Sequence, residues 1–313
     1  MEPEGTRVVF MGTPEFAVPS LETIAAAHTV ALVVTQPDRP KGRGRLIEPP
    51  PVKVCAERLG LRVIQPESMR DETVLQALAA AQADFFVVVA YGHILRENVL
   101  KLPGIACINV HASLLPAYRG PAPIQWAVIN GDRETGVTTM IMDKGLDTGD
   151  ILLADPEPIF AADTAGTLHD RLAQRGASLL GRTLAAFADG TIRRTPQDHA
   201  RATHAPLLKK SDGLIDWKRP ATALEPFVRG MAPWPGAHTF WGTNRLKIFK
   251  TEASSAHGAA APGTVLVSHH GELVVACGEG ALSILEIQGA SGSRLPVFEF
   301  LRGCRIPPGA ELG

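Results

Sequence analysis

Over its first 110 residues the chain alternates short runs that are apolar at every position with longer stretches of helical period, and no other feature limits the fold so tightly. RVVFMG (7–12) precedes a helical pattern from about Phe16 to Ala27, and TVALVVT (29–35) follows it. The rhythm continues through LRVIQ (61–65), a helix over about Asp71 to Ala81, DFFVVVA (84–90) and GIACINV (104–110). A strand facing water on one side alternates apolar and polar residues. Strands without that alternation are buried on both faces, which predicts a parallel sheet covered by helices on each side.

Further along, a helix over 123–129 has proline in its first turn and stops at Asn130-Gly131, and TGVTTMIMD then reads as a strand. A long amphipathic helix is predicted from about Thr164 to Ala188. The next segment, TIRRTPQDHARATHAPLLKKSDG, is polar and without apolar period, and reads as an interdomain linker. After a helix over about Thr222 to Met231 come AHTFW, LKIFK, GTVLVS, ELVVACG and ALSILEIQ, five short strands at the spacing of a small barrel. At 313 residues, with 45% hydrophobic and 20% charged side chains, the chain has the size and composition of two globular domains.

Four cysteines, at 55, 107, 277 and 304, form no C-x-x-C pair and suggest a reducing cytoplasm. No apolar run approaches the roughly 20 residues of a membrane span. The acidic start, MEPEGTR, runs straight into the first strand and predicts no targeting peptide.

The densest chemistry lies in INVHASLLPAYRGPAP (108–123), where an apolar strand ends. In open parallel sheets that carboxyl edge is where ligand crevices form. Asn109 and His111 alternate along the strand, so both side chains leave it on one side while Val110 faces the core. DKGLDTGD (143–150) places Asp147 in a glycine-held turn at another strand end, with too few oxygen ligands at the required spacing for a calcium loop. Taken singly, Asn109 reads as a turn cap and His111 as a structural histidine. Together, an amide that donates to an oxyanion, an imidazole that exchanges protons and a carboxylate that orients it suit acyl transfer without metal or covalent nucleophile. FMGTPEF lacks the G-x-G-x-x-G pattern, which argues against NAD.

The run Asn109-x-His111-x-Ser113-Leu114-Leu115-Pro116, with Asp147 in GLDTGD, resembles the formyltransferases that use 10-formyltetrahydrofolate. FMGTPEFA (10–17), QPDRPKGRG (36–44), PVK (51–53), VVAYGHIL (88–95), GLIDW (213–217) and PWPGAHT (233–239) are similar to the branch of that family that formylates an aminoacyl-tRNA. The resemblance covers nearly the whole chain. It implies an α/β fold: a Rossmann-like parallel-sheet catalytic domain over 1–189, a linker over 190–208, and an OB-like β-barrel over 209–313 that binds tRNA. The implied reaction is direct attack by the α-amino group of methionyl initiator tRNA on the formyl carbon of 10-formyltetrahydrofolate, through a tetrahedral intermediate, in a cytoplasmic monomer. Asn109 would stabilise the oxyanion, and His111 with Asp147 would handle the amine proton. Ser113, Leu114, Leu115 and Pro116, with Val89, Tyr91 and Gly92 opposite, would contact the folate, with neither metal nor NAD.

QPDRPKGRGRLIEPPPVK (36–53) is a long basic loop, readable from sequence alone as merely solvated. The resemblance directs it to the tRNA acceptor stem, with Arg43 foremost and Arg39, Lys41 and Arg45 as weaker phosphate contacts. The overall charge of −1 conceals an asymmetry: residues 1–189 carry 17 basic and 22 acidic side chains, and residues 190–313 carry 14 and 10. Arg193, Arg194, Arg201, Lys209, Lys210, Lys218 and Arg219 suit a phosphate backbone, Lys209 and Lys210 above all. Trp217, Trp234 and Trp241 read as packing residues rather than base-stacking platforms. Three rivals remain: a formyltransferase acting on a nucleotide-sugar or purine-precursor amine, a 10-formyltetrahydrofolate hydrolase, and a non-catalytic RNA-binding protein.

Overall fold

The computed structural model describes residues 6–41, 46–255, 260–269, 271–290 and 292–313. The chain divides into two compact units, one of Met1–Pro123, Glu134–Pro158 and His169–Ala205, the other of Ile124–Arg133, Ile159–Leu168 and Pro206–Gly313.

In chain order the first part holds β1 (Arg7–Gly12), α1 (Val18–Ala27), β2 (Thr29–Val34), β3 (Arg39–Lys41), β4 (Leu46–Glu48), α2 (Pro51–Arg58), β5 (Val63–Ile64), α3 (Glu72–Ala80), β6 (Phe85–Val89), α4 (Glu97–Leu100) and β7 (Ala106–His111). Then come α5 (Pro123–Ile129), β8 (Glu134–Ile141), β9 (Ile151–Pro158) and α6 (Ala165–Ala188). A seven-stranded sheet runs β5-β2-β1-β6-β7-β8-β9. It is parallel up to β7, and β8 and β9 add antiparallel strands at one end.

Strand alternation sorts the apolar residues onto two faces. Val9, Met11, Leu32, Val34, Phe86, Val88 and Cys107 join Val74 and Leu78 of α3 and Val99 of α4 in one core. On the opposite face Phe85 meets Phe187 of α6 edge-on at 5.0 Å, and Thr139 shares a 2.8 Å hydrogen bond with Thr183. Helix α6 is buried along Ala173, Ala177, Leu180 and Leu184, the three- and four-residue spacing of one helical stripe, with Leu172 beside it. Each large side chain so covered contributes about 1.5–3 kcal/mol.

The second unit carries α7 (Ala221–Gly230), β10 (His238–Trp241), β11 (Asn244–Ser254), β12 (Val265–His269), β13 (Glu272–Ala276), β14 (Ala281–Gln288), β15 (Leu295–Pro296) and α8 (Val297–Gly303). Its antiparallel sheet has the order β10-β11-β14-β13-β12, with β15 beside β14. Register shifts in β11 near Lys250, and in β12 between Val265 and Val267, bend the sheet into a half-barrel. Leu246, Ile248, Val275, Leu282 and Ile287 are buried in this unit. Trp217 is buried and donates to Thr239 Oγ1 at 3.0 Å, whereas Trp234 is half exposed.

Candidate active site

Strand β7 delivers Asn109 and His111 to the carboxyl edge of the parallel sheet, next to the end of β6. Both are buried, at 8% and 6% exposure. Among the described residues the Asn109 side-chain amide has no hydrogen-bond partner. His111 is held from two sides. Its Nε2 lies 2.9 Å from the Tyr118 carbonyl oxygen, and its Nδ1 lies 3.7 Å from Asp147 Oδ2. A carbonyl only accepts, so Nε2 carries the hydrogen and Nδ1 is the basic nitrogen of the neutral ring. A proton arriving at Nδ1 would face the Asp147 carboxylate, and closure by about 1 Å would make that contact a charge-assisted hydrogen bond.

Asp147 is anchored in turn by the Gly120 N–H, which donates to Oδ2 at 2.8 Å. Gly120 has φ of 115°, and a Cβ there would come within 2.8 Å of the Ala205 carbonyl oxygen, so glycine is required by both conformation and space. Tyr118 and Asp147 themselves occupy the left-handed region, at φ of 58° and 52°. Non-glycine residues enter that region at a cost, which the surrounding hydrogen bonds must offset.

The loop after β7 is built from the inside. Ser113 donates its hydroxyl to the Ala117 carbonyl at 2.6 Å, and Thr138 Oγ1 of β8 bridges it by donating to Ser113 O and accepting from Leu115 N. Gly136 on β8 leaves room for the Leu114 side chain, which a Cβ would approach to 2.6 Å. The Leu115–Pro116 peptide is cis. Ser113 and Leu115 are buried, and the residues this loop leaves partly exposed are Leu114, Pro116, Ala117 and Tyr118.

Across the sheet edge, the Val89 and Tyr91 side chains also point into the core. Tyr91 donates its hydroxyl to the Met69 sulfur at 3.1 Å, and burial holds its phenol well above the ordinary range. Its carbonyl accepts from Thr13 Oγ1 and Gln36 Nε2. Gly92 lies in the left-handed region at φ of 85°. A cavity of about 770 Å³ opens here, lined by Thr13, Gln36, Arg39, Ala90, Gly92 and His93 among others. His93 is pushed below its usual range first by burial and then by Arg39. Its Nε2 is buried without a hydrogen-bond partner.

The basic loop contains the hairpin β3–β4, whose strands are each three residues long, the first with a proline at its centre, and so too short to show a period in the sequence. Arg39 is exposed and donates to Gln36. Lys41 ends β3, while Arg43 and Arg45 lie outside the described residues. In the other unit, Lys209 and Lys210 are exposed at a short turn where the Lys209 N–H donates to Asp212.

Arg119 stands within the run INVHASLLPAYRGPAP, whereas no pattern in the sequence points to Gln197. Gln197 stands in the polar segment after α6, and its side chain reaches the carbonyls of Asp147 and Gly149 and the guanidinium of Arg119. No spacing rule reveals a contact between an irregular segment and two loops 50 and 78 residues earlier. Among the described residues, no group of three or more His, Cys, Asp or Glu side chains could hold a metal, and no helix is long and apolar enough to cross a membrane.

Comparison with known proteins bears on this geometry. A formyl transferase family matches residues 6–184, and a formyl transferase C-terminal domain matches residues 207–305. Methionyl-tRNA formyltransferase of Citrifermentans bemidjiense is 50% identical over 99% of this chain and 97% of its own length. The protein of the same name from Desulfotalea psychrophila is 52% identical over 99% and 96%. At 17% identity, a sugar 3N-formyl transferase crystallised in the presence of dTDP and 5-N-formyl-THF shares the fold, with a TM-score of 0.67 over 92% of this chain and 99% of that one. With both domains matched in order and half the residues identical along almost the full length, the chain belongs to the methionyl-tRNA formyltransferase family.

Proposed function

We propose that Asn109, His111 and Asp147 carry the formyl transfer, from 10-formyltetrahydrofolate to the α-amino group of methionine esterified to initiator tRNA. The observation that carries this reading is the orientation of His111: Nε2 is committed to the Tyr118 carbonyl while Nδ1 faces Asp147, on the strand that also presents Asn109. The amine nitrogen attacks the formyl carbon, forming the C–N bond as the carbonyl oxygen takes up negative charge. The Asn109 amide donates to that oxygen, an interaction strongest when the charge is fully developed. The nitrogen sheds its proton toward Nδ1 of His111, and Asp147 stabilises the charged ring. Collapse of the tetrahedral species breaks the bond to folate N10, which takes up the proton held on His111 and leaves as tetrahydrofolate.

The 770 Å³ cavity, lined by Tyr91 and Gly92 and walled by prolines, has the size of a small-molecule site. Folate contacts would come from the backbone of Ser113, Leu114, Leu115 and Pro116 on one side, and from the peptide groups of Val89, Tyr91 and Gly92 on the other. Arg43, with Arg39, Lys41 and Arg45, would approach the acceptor stem, and Lys209 and Lys210 would meet phosphates from a tRNA-binding region over 209–313. We place the enzyme in the cytoplasm as a monomer. The deciding assay supplies 10-formyltetrahydrofolate with methionyl initiator tRNA, methionyl elongator tRNA or no acceptor. Formylation of the initiator tRNA well above the elongator is expected. Formate release at the same rate without an acceptor would instead identify a hydrolase.

A further inference from the structure

We propose that Gln197 and Arg119 are positioning residues for the reaction, forming a clamp that holds Asp147 where His111 needs it. The inference rests on the reading of Asp147 as the partner of His111.

The Gln197 amide is fully used. Its Nε2 donates to Asp147 O at 2.9 Å and to Gly149 O at 2.7 Å, and its Oε1 accepts from Arg119 Nε at 3.1 Å and from the terminal Nη2 at 2.6 Å. Two donors and two acceptor sites are all that a primary amide has. The flip of the amide is also decided, since carbonyls cannot donate and a guanidinium cannot accept. Gln197 and Arg119 are only 6% and 5% exposed, so water does not readily replace these bonds. Arg119 Nη2 also reaches His199 Nδ1 at 3.1 Å, which ties the clamp to the following turn.

Asp147 is thus gripped at two points: its side chain by the N–H of Gly120, the neighbour of Arg119, and its main-chain carbonyl by Gln197. It needs both, because it sits at φ of 52°, from which a freed aspartate would relax. The segment bearing Gln197 is itself fastened to the loop after β7. Arg119 N donates to Thr203 O and Ala205 N to Arg119 O, both at 2.8 Å, and Ala122 N donates to Ala205 O. The same segment therefore locates the histidine's carbonyl partner at Tyr118, whose N–H donates to Thr203 Oγ1. A displacement of about 1 Å at a reacting group can cost a hundredfold in rate, so a clamp of this kind acts on turnover.

Gln197→Glu keeps the length of the side chain and an acceptor for Arg119, and presents carboxylate oxygens where Asp147 O and Gly149 O require donors. We expect kcat per folate-binding site to fall about 10- to 100-fold, with the Kd for tetrahydrofolate changed less than about twofold. The discriminating step is a cycle with Asp147→Asn. If Gln197 acts through Asp147, adding Gln197→Glu to Asp147→Asn produces little further loss, because the group it positions is already disabled. Should the double variant fail to bind tetrahydrofolate, Arg119→Lys, which keeps the charge and removes the two-pronged donor, is taken through the same cycle. Losses that multiply in the cycle would overturn the clamp alone. So would a variant with normal kcat, whether or not its Tm falls, since that is the outcome of a purely structural role. Normal kcat for Asp147→Asn by itself would overturn the role of Asp147 and the clamp with it.

Discussion

At the scale of single residues, the site depends on how much of each polar group is already committed before substrate arrives. Ser113 and Gln197 spend their hydrogen-bonding capacity on the protein, whereas the Asn109 amide, buried at the strand end, has no partner among the described residues and, in the proposed mechanism, donates to the substrate oxygen. A donor of that kind acts on the charge that develops in the transition state. Asn109→Ala should therefore lower kcat by about 10² to 10³ while leaving the Kd for tetrahydrofolate nearly unchanged. Single-turnover formylation alongside a folate titration measures both; loss of folate affinity with turnover preserved would make Asn109 a binding residue instead. The cysteines take no such part. Burial pushes the Cys107 thiol up to about 12 and the Cys277 thiol up to about 11, so both are unreactive thiols at neutral pH.

At the scale of elements, the parallel sheet carries the placement of the site, and its strength lies where helix meets strand. Leu78 of α3 is 1% exposed in the core formed with β1, β2 and β6. Leu78→Ala should destabilise the protein by about 2–5 kcal/mol, read as a lower urea midpoint for loss of the parallel-sheet signal. These elements were legible in the sequence. β1 and β6 announce themselves as uninterrupted apolar runs, and α6 as a stripe of one helical period. Asn109 and His111 could be paired for the same reason, since alternation along a strand is a rigid rule. What escaped lacks a period or is too short to show one. The hairpin β3–β4 is proline-broken, α2 looks like a continuation of a polar loop, and β9 carries aspartate, glutamate and two prolines on the outermost strand of the sheet. Gln197 escaped because its contacts depend on the path of irregular backbone.

At the scale of the whole molecule, the near-zero net charge resolves into −5 over residues 1–189 and +4 over residues 190–313. A polyanion held by the basic part releases counterions, so its affinity falls with salt in proportion to the phosphates neutralised. Replacing both Lys209 and Lys210 by glutamine should reduce the slope of log K against log salt for initiator tRNA by about one unit for each phosphate that these lysines neutralise. An unaltered slope would return them to the role of solvated surface. The ladder that joins 203–205 to 119–122 has a consequence for the tolerance of the chain to change. Irregular polar segments are ordinarily where insertions, deletions and cuts do least harm. Here, one residue added or removed between Gln197 and Ala205 would shift the register against which the loop after β7 is pinned, so this segment should hold its length as strictly as any strand of the sheet.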